Sequence, residues 1–261
     1  MVDLKGTSGL PLQLKDDGTL VFGDSVLAVE PAVRTLDAMR EVLVDPRASG
    51  PAVLYYMYRN VGRPEEKAKT EPRALRYDIT IIPPAKLGSE WTKTYGHYHP
   101  RTAKGPYYPE VYEVLSGRAI YLLQRRDAQG RIDDVLVIPA GPGEKVFMLP
   151  GYGHATINVG DAPLAMANWV AGSFSSEYGD YKERHGAAYY ALVEGDGVRW
   201  EPNPHYGNLP KPRFVSAVSH EATTGLRAGA PMYPAVVADP SRYDYIVDPS
   251  LYRGEWSALV R

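Results

Sequence analysis

The sequence predicts an all-β domain, a sandwich or barrel, with a short helix near its start and an extension at its end. Two observations carry this. From Ala74 onward, short runs rich in β-branched and aromatic residues alternate with Gly-, Pro- or Asp-containing turns, as in "ALRYDITIIPP", "EVYEVLSG", "RAIYLLQRR", "DDVLVIPAG" and "LAMANWVAG". Composition agrees. Among 261 residues there are 23 Pro and 25 Gly, which suit many turns, and 20 Tyr against 4 Phe, which suit sheet faces and polar pockets.

The elements follow in order. Residues 1–50 read as a lead-in belonging to the same domain, with turn signals at "KDDG" and "FGD". Within it Val33, Leu36, Met39 and Val42 recur at helical spacing, and Pro46 stops the run. This predicts one short amphipathic helix. "AVLYYMYRNV" then reads as a strand, and the charged "EEKAKTEPR" as a solvated loop. Residues 51–200 form the predicted barrel, whose runs continue through "WTKTYGHYH", "KVFMLPG" and "HATINVGD". Residues 201–261 are rich in Pro, Tyr and Asp without clear periodicity. Their aromatic residues demand burial, so the segment is expected to pack on the barrel or on a partner subunit.

Several function classes are excluded at this level. Net charge is −2 and no basic stripe is present, so no nucleic-acid partner is expected. No apolar run approaches the roughly 20 residues of a membrane span, and the first residues show no basic start followed by an apolar stretch. With no cysteine there is neither a disulfide nor thiolate chemistry. The expected setting is the cytoplasm.

The chemistry is concentrated in "TYGHYHPRTAKGPYYPEVYEVLSG". If Thr94–His99 is a strand, His97 and His99 share a face and Tyr98 takes the other. By the same alternation Glu110, Tyr112 and Val114 share a face, and Glu113 points away to structural or surface work. A hairpin through the intervening loop would join the two segments. Two imidazoles and a carboxylate with open positions suit one divalent metal ion: iron, manganese, nickel or zinc. His154, which follows the turn in "LPGYGHATIN", is a fourth ligand candidate, and Asn158 is expected to fix the turn behind it. His185, His205 and His220 lack such a context and are expected to carry no function.

The full pattern resembles the cupin signature, two metal-ligand motifs on a small jelly-roll barrel, with an insertion before Glu110. More narrowly, residues 20–200 resemble the cupin-type glucose-6-phosphate isomerases first known from archaea. The shared features are Thr94-x-Gly96-His97-x-His99, Glu110-Val111-Tyr112, the glycine turn into Leu122-Leu123-Gln124, His154-x-Thr156-x-Asn158-x-Gly160-Asp161 and Glu177-Tyr178-Gly179. The "LDAMREVLVDP" segment is similar as well. The resemblance implies an isomerase of glucose 6-phosphate and fructose 6-phosphate, acting in glycolysis and gluconeogenesis, commonly as a homodimer. It implies His97, His99, Glu110 and His154 as metal ligands, with Glu110 also the general base. Thr80, Thr94 and the Gly96 N–H would hold the substrate phosphate, and Tyr112 and Tyr178 would line the sugar pocket. Proton transfer and a metal-assisted hydride shift are both open. Val170 and Ser176 stand where the family has a tyrosine and often a histidine, which puts the exact sugar in question. Lys93, Arg101 and Lys104 are alternative phosphate contacts, or else solvated surface charges. Another cupin enzyme, such as a dioxygenase or an isomerase of a different sugar, and a non-catalytic sugar-binding cupin are the competing readings.

Overall fold

A computed structural model of the chain describes residues 1–218 and 220–260. Its centre is the segment Leu75–Ile82, where four consecutive β-branched residues follow Asp78 and seven of the eight positions are buried. A strand buried on both faces needs a layer on each side. Here the barrel interior provides one and the C-terminal extension the other.

The barrel strands are β1 (Ala32–Thr35), β2 (Val53–Tyr58), β3 (Leu75–Ile82), β4 (Glu110–Ser116), β5 (Ala119–Arg126), β6 (Ile132–Ala140), β7 (Lys145–Met148), β8 (Tyr152–Asn158) and β9 (Leu164–Ala171). They form two antiparallel sheets, ordered β7-β4-β9-β3-β2-β1 and β8-β5-β6, the second extended by Arg213–Phe214 running parallel to β6. This is the jelly-roll arrangement expected of a cupin. Register places the rows that matter below. Asp78 of β3 lies opposite Asn168 of β9, which lies opposite Tyr112 of β4. Arg76, Val170 and Glu110 form the adjoining row.

Four expectations change. The helix begins only at Leu36, because Ala32–Thr35 pairs with β2 as an edge strand. Thr35 then caps the helix, its hydroxyl accepting from Ala38 N at 3.2 Å. The predicted loop "EEKAKTEPR" is mostly helical. Pro64 opens the helix Pro64–Thr70, Glu65 and Glu66 sit in its first turn and Lys67 and Lys69 in its last, a distribution that favours the helix dipole. Thr94–His99 is not a regular strand, since Gly96 adopts φ +85° and only isolated bridges tie the segment down. Nor does it form a hairpin with β4: His97 bridges His154 instead. Beyond β9, strands Tyr189–Glu194 and Gly197–Pro202 pair as a further hairpin.

The extension lies on the chain's own barrel. Met232, Tyr233, Val236 and Val237 of helix Met232–Ala238 are buried. Tyr233 stacks on Trp169 of β9 (centroids 5.7 Å apart, planes 19°) and meets the edge of Tyr77 of β3 at 4.8 Å.

Candidate metal centre

His97, His99, Glu110 and His154 converge between the two sheets, each offering a ligand atom within 4.8 Å of the others. Glu110 comes from β4 and His154 from β8, while the two remaining imidazoles come from the segment bridged to β8. His97 Nε2 lies 3.3 Å from His99 Nε2. Glu110 Oε2 is 3.4 Å from His99 Nε2 and 3.3 Å from His154 Nε2. His97 and His99 therefore face the same cluster through irregular backbone. Tyr98 does point away, its hydroxyl accepting from Gln124 Nε2 at 2.9 Å with Arg126 over its ring.

The donor set fits one divalent cation. Glu110 Oε2 and both His154 ring nitrogens are buried without a hydrogen-bond partner, an expensive arrangement unless something binds them. Burial, then the neighbouring His154 and His99, holds the His97 imidazole well below its ordinary pKa, and burial also lowers His154. Both rings are thus neutral, the form that ligates. Burial opposes ionisation of the Glu110 carboxyl, yet the adjoining His154 and His99 imidazoles outweigh it and hold it below the usual carboxylate range. The surroundings orient these donors. The Tyr108 carbonyl faces His99 Nδ1 at 3.0 Å, which leaves Nε2 for the centre. Asn168 Nδ2 donates to Glu110 Oε1 at 2.6 Å.

The centre opens into a cleft. Thr80, Thr94, Gly96, Tyr112 and Tyr178 all line it, as do Val170 and Ser176. Lys93, Arg101 and Lys104 do not. Lys93 is not a surface charge either: it is buried on Glu90 and the Val42 carbonyl. Arg101 stacks over Tyr107, and Lys104 pairs with Asp248 of the extension. Glu113 is buried, so its work is structural, and Asn158 bridges the Ile82 and Ala162 carbonyls and the Gly160 N–H. His185 and His205 meet ring to ring at a tilt away from the cleft, and His220 faces the Ala258 carbonyl. The cations that line the cleft are Arg59 and Arg76, both gathered on Asp78. Only the strand alternation of "RYDIT" hinted that Arg76, Asp78 and Thr80 share a face.

The family model described as glucose-6-phosphate isomerase matches residues 31–207, well over half the chain. The chain belongs to the glucose-6-phosphate isomerase family. Among its relatives, the glucose-6-phosphate isomerase of Thermococcus gammatolerans is 28% identical over 179 residues, 67% of this chain and 86% of that protein. That of Pyrococcus abyssi is 32% identical over 132 residues, which span 51% of this chain and 65% of the relative. The chain thus spans just under two thirds of that relative's length. The residues after 207, which cover the outer face of β9 and β3, lie outside the family match. Among solved structures, a Bacillus subtilis oxalate decarboxylase aligns over 60% of this family member and 32% of its own chain, at 12% identity and a TM-score of 0.36.

Proposed function

We propose that the chain is a metal-dependent aldose–ketose isomerase that interconverts glucose 6-phosphate and fructose 6-phosphate. The observation that carries the reading is the enclosed Glu110 carboxylate, with Oε2 unpartnered among three imidazoles, in a chain of this family. His97, His99, Glu110 and His154 would hold one divalent ion, iron, manganese, nickel or zinc. When bound, such an ion polarises the sugar oxygens and offsets the negative charge that develops on them.

The chain's own residues do the rest. Glu110 removes the proton from C2 of the open-chain aldose and returns it to C1 while the O2 hydroxyl proton passes to O1, with Asn168 fixing the plane of its carboxylate. The Thr80 and Thr94 hydroxyls and the Gly96 N–H take the phosphate, whose binding orients the sugar at a distance from the reacting carbons. Tyr112 and Tyr178 bound the sugar itself. A direct hydride shift from C2 to C1 is the competing route, and turnover in D₂O separates the two: transfer through Glu110 incorporates solvent deuterium, and a hydride shift does not. The same reading carries a cytoplasmic homodimer serving glycolysis and gluconeogenesis.

The test is isomerase turnover of fructose 6-phosphate. Chelation is expected to abolish it and one of iron, manganese, nickel, cobalt or zinc to restore it. Glu110→Gln is expected to lower kcat/KM by about 10²–10⁴-fold. Absence of turnover with every one of these metals rejects the proposal.

A further inference from the structure

Two donors of the cluster, His99 and Glu110, are joined by the loop of residues 100–109, which is bonded to itself across both limbs. Thr102 N donates to the Pro106 carbonyl at 2.7 Å, Gly105 N to the Thr102 carbonyl at 3.0 Å and Tyr108 N to the Pro100 carbonyl at 3.2 Å. Arg101 Nη1 donates to the Gly105 carbonyl at 2.8 Å. A compact loop closed in this way moves as a unit, so a displacement of its tip at Lys104 carries to its base at Tyr108. The base touches the cluster. The Tyr108 carbonyl faces His99 Nδ1 at 3.0 Å. The Tyr108 ring stacks on Phe174 (centroids 4.7 Å apart, planes 23°), and Phe174 meets the His99 ring at 4.6 Å. Tyr107 lies against Gly151, in the turn that leads into β8 and His154; a Cβ there would stand 3.2 Å from the Tyr107 ring.

The tip of the loop is held from outside the barrel, where Lys104 pairs with Asp248. Asp248 is a fixed partner. Its side chain is only 20% exposed. Its carboxylate also accepts from Ser250 N at 3.2 Å and Ser250 Oγ at 2.6 Å, and its own N–H donates to the Asp244 carbonyl at 2.8 Å. A carboxylate already immobilised loses little further freedom on pairing, which removes part of the entropy cost that makes exposed ion pairs weak. Asp248 belongs to the extension, beyond residue 207 where the family match ends.

We propose that the C-terminal extension positions the metal centre: Asp248 grips Lys104, and the loop between His99 and Glu110 passes that constraint to the His99 imidazole. The inference rests on the metal reading of the cluster. Lys104 and Asp248 are positioning residues, since neither lines the cleft. A donor ring already held in its binding orientation has less freedom to lose when an ion arrives, so the constraint raises metal affinity.

The experiment measures cobalt(II) and zinc affinity of the full chain by competition with a chelator, together with the visible spectrum of the cobalt(II) form, which reports the arrangement of its donors. Lys104→Glu sets one carboxylate against another at the tip of the loop. It is expected to weaken metal binding about three- to tenfold and to shift the cobalt(II) bands, with the melting temperature of the metal-free chain unchanged. Adding Asp248→Asn is expected to restore most of the affinity, because the amide donates to the introduced carboxylate and still accepts from Ser250. Arg73→Met breaks the pair with Asp244, a second tie of the extension that does not involve the loop, and is expected to leave the affinity as in wild type. Unchanged affinity and spectrum in Lys104→Glu overturn the inference. So does an equal loss in Arg73→Met, which would mark general loosening of the extension. A wild-type chain that binds metal tightly while Lys104→Glu binds it equally well sinks this inference alone. A wild-type chain that binds neither cobalt(II) nor zinc sinks the metal reading and the inference with it.

Discussion

Gly96 shows how one residue organises the centre. Its φ of +85° turns the chain so that His97 and His99 both enter the cluster while Tyr98 leaves on the opposite side. A Cβ there would lie 2.2 Å from the Tyr181 ring, which is itself fully buried. Gly96→Ala combines backbone strain with overpacking, each worth roughly 1–3 kcal/mol. The expected result is about 3 kcal/mol lost in urea unfolding together with weaker metal retention; a loss under 0.5 kcal/mol would contradict this account. The cluster that could hold a metal was legible at this scale because His and Glu declare their donors by type. Asp78 and Asn168 were not legible. Their importance depends on Arg59, Arg76 and Glu110, partners that register alone brings near.

At the scale of elements, the edge strand β7 is joined to β4 and to the extension through one buried ion pair. Lys145 pairs in register with Glu113, its ammonium 2.7 Å from Glu113 Oε1 and 2.7 Å from the Ala230 carbonyl. Met232 N donates to Glu113 Oε2 at 2.9 Å as its helix begins. Removing one partner leaves a charge buried and unpaired, which costs about 3–5 kcal/mol. Lys145→Met is expected to lower unfolding free energy by that amount, and Lys145→Met with Glu113→Gln to recover part of it. A single variant within 1 kcal/mol of wild type would refute the role. Element type was legible where apolar alternation ran uninterrupted, as in β3 and β9. It was misread over Pro64–Thr70, where charge density suggested a loop. There the placement of acids first and lysines last was the informative feature. It was misread again at Ala32–Thr35, whose apolar spacing fits a helix but whose backbone hydrogen bonds go to β2.

Across the whole molecule, the extension supplies the layer that the outer face of β3 and β9 requires. Tyr77 and Trp169 are each 1% exposed beneath Tyr233. Arg73 and Lys104 pair with Asp244 and Asp248, tying the barrel and the loop before Glu110 to the same segment. A chain ending at Gly207 uncovers contiguous apolar surface, the kind that drives association. Size-exclusion chromatography is expected to show aggregation or a new oligomer in place of the full-length species; an unchanged elution state and melting temperature would remove the extension from the stability of the barrel. Residue chemistry and period-two alternation are local properties. By itself the sequence therefore determined the four donor side chains of the cluster, most of the barrel strands and the family resemblance. Which strands pair, and what each face meets, depends on contacts between distant segments. Only the tertiary structure decided that His97 bridges His154 instead of forming a hairpin with Glu110, that two arginines converge on Asp78 inside the cleft, and that the C-terminal aromatics close over their own barrel.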